Sequence, residues 1–287
     1  FLENLNRFAN GDFVLQNIVM PLGISFFTFQ QISYIVDSYH YQTKDYTLLD
    51  YALFVTFFPQ LIAGPIVRYS SVAEQLHKRK CTWEMIENGV ARFIIGLSKK
   101  VLIANELGEL CDIFRSSADK SVVFYWIYAV SFMLHIYFDF SGYSDMAIGL
   151  GKILGFTFPE NFNYPYIAGS ITEFWRRWHM SLGSWFRDYV YIPLGGNRVS
   201  KIKWYRNIFF VWMFTGLWHG ASWNFLIWGL YFGILLIIEK NWLMPFLKKG
   251  RVLKHIYVLL LVMVSFVIFN AVDMGQAWQD ISGMFGA

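Results

Sequence analysis

The sequence contains few charged residues, and this shortage narrows the class of protein. Only 15% of its 287 residues are charged, whereas a soluble domain usually carries about 25%. Hydrophobic residues make up 56% of the chain, and the mean hydropathy is +0.38. This composition excludes an ordinary soluble domain and indicates a protein that crosses a membrane several times.

Cysteine is also scarce, and several common catalytic motifs are missing. The chain has two cysteines, Cys81 and Cys111, which form neither a disulfide framework nor a metal-binding pair. The six histidines show no metal-ligand spacing, so we expect no metal site. The patterns GxSxG, GxxxxGK and GxGxxG are absent, and nothing in the sequence indicates a nucleic-acid-binding module.

The start of the sequence has no signal peptide, and its end is abrupt. The chain begins with Phe1, has no charged segment or small-residue cleavage site near its start, and stops after "ISGMFGA". No linker or low-complexity segment divides it. We therefore expect residues 1–287 to form a single transmembrane domain that is truncated at both ends.

Seven apolar segments are long enough to cross the membrane fully or in part, since a spanning helix needs about 20 residues. They are 14–36, 47–67, 89–109, 122–138, 207–218, 222–238 and 256–272. The second segment contains Pro59 and Gly64-Pro65, which should break or kink it. The third contains Lys99-Lys100, so this helix should tilt, break, or place its lysines near one interface.

The distribution of charge predicts the orientation of the chain. Residues 173–206 hold seven cations and two acids, a net charge of +5, whereas the whole chain carries +4. The positive-inside tendency places this basic loop in the cytoplasm. The basic clusters at 78–80 and 248–254 should lie on the same side.

The basic loop has the pattern of an ordered segment. "SITE" (Ser170 to Glu173) fits a capping box at a helix start, and Glu173 and Arg177 form a favourable i,i+4 pair. Apolar residues follow on one helical face: Trp175, Trp178, Leu182 and Trp185. This spacing predicts one amphipathic helix lying in the membrane interface, ended by a turn at Pro193 to Asn197.

The stretch "LWHGASWN" (217–224) places a histidine in a run without charge. No charged residue occurs between Arg206 and Glu239. The uncharged run 207–238 is too long for one upright membrane span and too short for two full spans. We therefore predict two part-spans that meet near His219. At 1.5 Å per residue, His219 lies about 20 Å beyond Arg206, past the midplane.

A break at that depth should line protein or a water-filled cavity, because lipid cannot satisfy open backbone groups. Trp218 and Asn224 are candidates to line this cavity. His219 itself is either a core histidine hydrogen-bonded between helices or a catalytic base, since burial favours the neutral imidazole. His179 lies 40 residues earlier in the basic loop and could approach His219 across the bundle, or could be an interfacial histidine only.

Two carboxylates occur in the apolar segment "YFDFSGYSDMAIGLG" (137–151). Charged groups within the membrane usually face the bundle interior or an aqueous path. Asp139 and Asp145 are therefore candidates to line a tunnel. A cation or proton path and a hydrogen bond that fixes the helix are both open for them.

Several long segments resemble one known family in the same order. They are "PLGISFFTFQQISYIVD" (21–37), "FFPQLIAGPIVR" (57–68), "IYFDFSGYSDMAIGLGKILGF" (136–156), "PENFNYPY" (159–166), "EFWRRWHMSLGSWFRDYVYIPLGGNR" (173–198) and "GLWHGASWNFLIWG" (216–229). They resemble the membrane-bound O-acyltransferase (MBOAT) family, in particular its bacterial branch that acetylates polysaccharides such as alginate. The resemblance covers about residues 20 to 240.

The resemblance implies an all-α polytopic bundle, a ring of tilted helices around a central tunnel. It implies that His219 is the catalytic histidine and that His179 is its second signature histidine. The family transfers an acyl group from a cytoplasmic thioester to a hydroxyl, without a bound cofactor. In this branch the expected donor is acetyl-CoA, whose phosphates could contact Arg176, Arg177 and Arg187.

The same resemblance implies a place in the cell and a set of partners. We expect a multi-pass protein of the bacterial inner membrane, in contact with lipid, with the His179 loop in the cytoplasm. An exported partner resembling an SGNH hydrolase would complete the transfer to an extracellular or periplasmic polysaccharide. His219 would act as base on the acceptor hydroxyl or assist an acyl relay, and His179 would position or polarise the donor.

Three alternatives stay open at this point. The first is a D-alanyl transferase of the same family that uses a carrier-protein thioester to modify teichoic acid. The match at 185–198 favours acetyl transfer over it. The second is a cation-coupled transporter that uses Asp139 and Asp145. The third is a non-catalytic scaffold for export machinery.

Overall fold

The computed structural model describes residues 23–40 and 47–287, and these residues form helices and loops without strands. The α-helices are α1 (Ile24–Tyr39), α2 (Leu48–Thr56), α3 (Tyr69–Lys78), α4 (Trp83–Ser98), α5 (Asn105–Ser116), α6 (Val122–Ile153), α7 (Ile171–Arg177), α8 (Met180–Phe186), α9 (Lys201–His219), α10 (Trp223–Ile238), α11 (Met244–Lys249), α12 (Leu253–Asn270) and α13 (Met274–Gly283). Three π-helical turns lie between them, at Lys99–Ala104, Arg187–Tyr191 and Glu239–Leu243, and two 3₁₀ turns at Phe58–Gln60 and Pro165–Ile167.

Three of these helical stretches are long and apolar enough to cross a membrane. They are α6, the continuous stretch Trp223–Lys249, and α12. The prediction of an all-α, multi-pass membrane protein is therefore confirmed. The predicted break in segment 47–67 is also confirmed, because α2 ends at Thr56. Residues 14–22 of the first predicted span lie outside the described residues, and α1 begins at Ile24.

The helix pair α4 and α6 packs through two pairs of glycines. A Cβ atom on Gly96 would lie 2.5 Å from the carbonyl oxygen of Gly142, and one on Gly89 would lie 2.7 Å from that of Gly149. Both distances are shorter than any ordinary carbon contact, so only glycine permits this separation of the two helices. Small residues at such interfaces let membrane helices approach closely.

This close approach brings cations of α4 and of the π-helical turn that follows it next to the carboxylates of α6. Lys99 Nζ lies 2.6 Å from Asp145 Oδ2, and Lys100 Nζ is hydrogen-bonded to Asp139 Oδ1. Arg92 binds both Asp145, at 2.8 Å, and Glu160. The lysines that interrupt the third predicted span are therefore paired with the two carboxylates of α6, which explains how α6 continues to Ile153, well beyond the predicted 122–138.

The helix that carries these lysines does not break, because it continues through a π-helical turn. Residues 83–116 run from α4 through the turn Lys99–Ala104 into α5 without interruption. His135 of α6 supports the end of the turn: its Nδ1 lies 2.7 Å from the carbonyl oxygen of Ala104. A carbonyl only accepts hydrogen bonds, so Nδ1 of His135 carries the proton.

The basic segments lie together at one end of the bundle. Lys240, beyond the end of α10, donates to Asn197 in the basic loop, and His255, near the start of α12, contacts the Ala168 carbonyl. Cys81 Sγ donates to the Ile153 carbonyl at the end of α6. The Lys240 contact brings residues 187–206 and 240–254 together at what we call the basic end, and the cluster at 78–80 lies beside the end of α6. That all three clusters share one side of the membrane stays a prediction.

We expect Gly96→Ala to destabilise the fold, because the added methyl group cannot fit against the Gly142 carbonyl. Overpacking of this kind costs about 1–3 kcal/mol. Thermal unfolding of the detergent-solubilised protein measures the effect. Gly183→Ala is the matched control, since its Cβ would meet its nearest atom at 3.7 Å. Equal unfolding midpoints for the two variants would contradict the proposed role of the glycine pairs.

Candidate active site

The predicted break at His219 is present. Helix α9 ends at His219, Gly220 follows in an extended conformation, and α10 begins at Trp223. The two helices then turn back on each other at close range: a Cβ on Gly216 would lie 2.5 Å from the Phe225 carbonyl oxygen. The apolar run 207–238 is therefore two helices joined by a short break, and His219 stands at the join.

Aromatic rings surround His219. Its ring centroid lies 4.5 Å from that of Trp218, 5.0 Å from that of Trp228 and 5.0 Å from that of Phe269. The side chain is half-buried. His219 is thus packed among aromatic rings of α9, α10 and α12.

The basic loop does not form the single interfacial helix that we predicted. It forms two short helices, α7 and α8, separated at His179, whose φ of 45° is left-handed. Trp178 and Trp185 are buried in the protein rather than exposed at a membrane interface. The prediction was wrong because the helical spacing continues across the break, while the left-handed residue redirects the chain into the core.

Several local predictions for this loop hold. The Ser170 hydroxyl accepts the Glu173 amide N–H, and Arg177 binds Glu173 at 2.8 Å. The capping box is incomplete, because the Glu173 carboxylate accepts the N–H of Gly169 instead of that of Ser170. The predicted turn at Pro193 to Asn197 is present.

Asn161 is the hydrogen-bonding partner of His179. Asn161 Oδ1 lies 3.0 Å from His179 Nδ1 and accepts from both the hydroxyl (2.9 Å) and the amide N–H (3.3 Å) of Ser181. The Ser181 hydroxyl in turn accepts the N–H of Ile66 at 2.9 Å. All three polar side chains are buried. The Asn161 backbone carbonyl also accepts the Met180 N–H, so one residue holds both sides of the break.

This network assigns the tautomer of His179. The Ser181 amide N–H can only donate, so the Asn161 atom that it contacts is the carbonyl oxygen. His179 Nδ1 must then carry the proton and donate it, which leaves Nε2 with a lone pair. Burial, and to a smaller degree the nearby His219, lowers the pKa of His179 below its ordinary value. His179 is therefore neutral at physiological pH, with Nε2 as a proton acceptor.

Trp218 brings the two histidines into one site. Its ring centroid lies 4.5 Å from that of His219 and 6.2 Å from that of His179. Phe140 of α6 completes the wall beside His179, with ring centroids 4.7 Å apart. The rings of the two histidines, 40 residues apart in sequence, thus both lie close to one indole.

The other predicted tunnel-lining residues are not all at this site. Asp145 lines a cavity of about 740 Å³ between α4 and α6, which also contacts Asn161. Asp139 is engaged by Lys100. Asn224 is buried and donates to the Ala271 carbonyl at 2.8 Å, which ties the start of α10 to the end of α12.

The three arginines predicted to bind the donor occupy different surroundings. Arg176 is exposed, Arg177 binds Glu173 and the Asn163 carbonyl, and Arg187 is held by its neighbour Asp188. Arg187 also lines a second cavity of about 630 Å³ together with Arg198. In the part of the chain that the structure describes, no group of three His, Cys, Asp or Glu side chains is arranged to hold a metal ion.

Two residues of the site escaped prediction from the pattern of the sequence, Asn161 and Ser181. Asn161 lies in the quoted segment "PENFNYPY", but neither its spacing nor its surroundings indicates contact with His179. Only its position in a segment shared with a known family could have drawn attention to it.

These features define a multi-pass membrane protein with a site in which two histidines lie close to one tryptophan. Residues 9–272 match the MBOAT, membrane-bound O-acyltransferase, family, and the chain belongs to that family.

The chain is similar to relatives that carry three different names. The chain is 46% identical to a probable alginate O-acetylase AlgI of Azotobacter vinelandii, over 98% of this chain and 57% of the relative. It is 38% identical to a peptidoglycan O-acetyltransferase of Helicobacter pylori, over 100% and 60%. It is 32% identical to a teichoic acid D-alanyltransferase of Bacillus subtilis, over 77% and 59%. The chain therefore spans somewhat more than half the length of these relatives.

We expect Asn161→Leu to destabilise the protein, because three buried donors on His179 and Ser181 lose their common acceptor. Unpaired buried donors cost about 1–3 kcal/mol each. The unfolding midpoint in detergent should fall clearly. Asn163→Leu is the matched control, since the Asn163 side chain is exposed. If both variants unfold at the same temperature, the Asn161 network does not hold the site together.

Proposed function

We propose that the protein to which this chain belongs is a membrane O-acetyltransferase. It moves an acetyl group from a thioester to a hydroxyl group of a polysaccharide such as alginate. The observation that carries the proposal is the pair of histidines whose rings both lie close to that of Trp218, at a helix break within the bundle. Family membership and the names of relatives that acetylate polysaccharides support it.

The chemistry needs a proton acceptor in a site of low water content. A neutral imidazole takes the proton as the hydroxyl oxygen attacks the thioester carbonyl carbon. The carbon–sulfur bond breaks, and the thiol leaves with a proton. The two histidines supply this acceptor. The aromatic rings around them exclude water and so protect the thioester from hydrolysis.

The donor is proposed to be acetyl-CoA, which reaches the site from the basic end. The exposed Arg176 and the cavity lined by Arg187 and Arg198 are suited to anionic phosphates. Arg177 contributes less, because Glu173 already compensates its charge. The basic end would lie in the cytoplasm of the bacterium, with the protein in the inner membrane.

The acceptor side is proposed to lie beyond the opposite end of the bundle. His219 is the last residue of α9, whose first residue, Lys201, lies at the basic end, which is consistent with approach of an acceptor from outside. An exported partner resembling an SGNH hydrolase would complete transfer to the polysaccharide. A central tunnel between the two faces stays a prediction, as does the assignment of residues 1–287 to one domain.

Two alternatives are less well supported. D-alanyl transfer is disfavoured because the D-alanyltransferase of B. subtilis is more distant than the O-acetylating relatives. A cation path along α6 is disfavoured because Asp139 and Asp145 are already paired with Lys100, Lys99 and Arg92. The third alternative, a scaffold role, predicts that both histidines can be replaced without loss of acetylation.

We expect His219→Ala in the full-length protein to reduce acetylation by at least about 100-fold, the lower range of general-base catalysis. Membranes of a strain that carries the variant, supplied with the acceptor pathway, measure incorporated acetyl groups. His40→Ala, at an exposed position, should retain activity. Undiminished acetylation in His219→Ala would contradict the proposal.

We expect inside-out membrane vesicles to use radiolabelled acetyl-CoA but not a D-alanyl carrier protein. The label should appear on the acceptor fraction within the vesicles. A preference for the charged carrier protein would overturn the choice of donor while leaving the acyltransferase class intact.

A further inference from the structure

A polar cavity lies at the end of the bundle opposite the basic end. Its volume is about 540 Å³, and it is lined by residues of α5, α6, the end of α12 and the start of α13. Helix α12 begins at Leu253, within the segment at the basic end, and ends about 27 Å away at Asn270, which lines the cavity. The two histidines of the candidate active site do not line this cavity.

A hydrogen-bonded network fixes one wall of the cavity. Arg115 Nη1 lies 2.6 Å from the carboxylate of the buried Asp280, and the same guanidinium donates to the Tyr128 hydroxyl. Asn270 Nδ2 donates to that hydroxyl at 2.7 Å. Both lining side chains, Arg115 and Asn270, are therefore held in one orientation before a ligand binds, as is typical of preformed ligand sites.

Three uncharged side chains of the cavity each use only one polar atom in these internal contacts. Asn270 is bound through Nδ2, so its Oδ1 can accept from a ligand. Gln276 Oε1 accepts the N–H of Val272 at 2.8 Å, so its Nε2 can donate. His135 donates from Nδ1 to the Ala104 carbonyl at 2.7 Å, so its Nε2 can accept. The cavity thus offers one donor and two acceptors.

Neither an acyl chain nor a metal ion matches these atoms. An acyl chain would displace water from His135 and Gln276 without replacing its hydrogen bonds, which costs free energy. In the described part of the chain, no group of three His, Cys, Asp or Glu side chains is arranged to hold a metal. The ligand that fits must donate to Asn270 and His135 and accept from Gln276.

The hydroxyl groups of a sugar ring meet this requirement. A hydroxyl both donates and accepts, and neighbouring hydroxyls on one ring can serve a donor and several acceptors together. Phe132 also lines the cavity and offers an aromatic surface to the C–H face of a sugar. We propose that this cavity binds a short saccharide segment of the acceptor polysaccharide.

This inference rests on the proposed function, which places the acceptor beyond this end of the bundle. Phe269 directly precedes Asn270, and its ring packs on that of His219 with centroids 5.0 Å apart. A saccharide at Asn270 is therefore held beside the wall of the histidine site. The cavity residues bind the acceptor and take no part in bond making, so they act on the KM for the acceptor rather than on kcat.

The test compares Gln276→Glu with Gln279→Glu in full-length protein in detergent. Gln276→Glu keeps an oxygen for the Val272 N–H and replaces the Nε2 donor by an acceptor. Gln279→Glu makes the same change on α13 at an exposed position outside the cavity. Saturation-transfer NMR measures binding of two probes, an alginate trisaccharide and the neutral cellotriose. We expect Gln276→Glu to raise the Kd at least about tenfold, as for loss of one hydrogen bond, and Gln279→Glu to keep it within about twofold.

The binding outcomes decide the inference. Equal Kd values for Gln276→Glu and the unmodified protein, or no saturation transfer to either sugar, would overturn the saccharide site. If no sugar binds and Gln276→Glu instead releases an exported protein partner, the cavity is a protein-docking surface, and the inference is equally wrong. Binding of both sugars supports recognition of hydroxyls alone. Binding of only the alginate trisaccharide supports the site and adds its carboxylate as a ligand of Arg115.

A second variant tests the aromatic surface without changing a hydrogen bond. Phe132→Leu should weaken sugar binding about threefold to tenfold, since an aromatic contact contributes about 0.5–1.5 kcal/mol. Phe124→Leu is the matched control, because Phe124 lies on the same helix, is partly buried and does not line the cavity. Equal Kd values for the two variants would contradict the placement of the sugar in this cavity.

Acetyl transfer in membrane vesicles separates this inference from the proposed function. With radiolabelled acetyl-CoA as donor, we expect Gln276→Glu to raise the KM for the acceptor while kcat and the KM for acetyl-CoA stay within about twofold. A fall in kcat alone would contradict a binding role. No transfer by the unmodified protein would overturn the proposed function, whereas sugar binding that Gln276→Glu weakens would still support the saccharide site.

Discussion

The hydrogen bonds to Asn161 Oδ1 hold the centre of this structure together. One oxygen atom accepts from the His179 ring and twice from Ser181, and the side chains of all three residues are buried. The left-handed conformation of His179 is unfavourable for a residue with a side chain. These bonds, together with the Asn161 backbone carbonyl that accepts the Met180 N–H, offset that cost. They therefore determine both the path of the chain between α7 and α8 and the chemical state of the imidazole.

The contact between α4 and α6 combines close packing with the pairing of opposite charges. Charged groups in this part of the bundle require partners at short range, and Lys99 and Lys100 reach the carboxylates of α6 because the glycine pairs bring the helices close. Close packing and charge pairing depend on each other here. A wider separation would leave the charges unpaired, and unpaired charges would not remain in an apolar environment.

Features that depend on local sequence were predictable. The break at His219, the interruption after Thr56 and the turn at Pro193 follow from glycine, proline and the length of apolar runs. Contacts between distant segments were not predictable from pattern. Lys99 and Asp145 were each recognised as costly, but their pairing depends on the register of two helices 46 residues apart.

The break at the left-handed residue His179 could not be predicted from the local sequence, for a different reason. No glycine or proline marks the break between α7 and α8, and the apolar spacing from Trp175 to Trp185 continues through it. Tertiary contacts to Asn161 impose the break, so the local pattern predicts one helix where the fold has two. The association of His179 with His219 came from family resemblance, and Trp218 is the physical reason for it.

The π-helical turn at Lys99–Ala104 determines which residues α5 presents to α6. A π turn holds one residue more than the α-helical turn it replaces, and each residue in a helix corresponds to a rotation of about 100°. The turn therefore rotates all of α5 about its axis relative to α4. With this rotation Gly108 faces His135, and Cys111 and Phe114 lie in the core. Removing a single residue here would direct the acidic face of α5, which includes Glu109 and Asp112, towards the apolar interior.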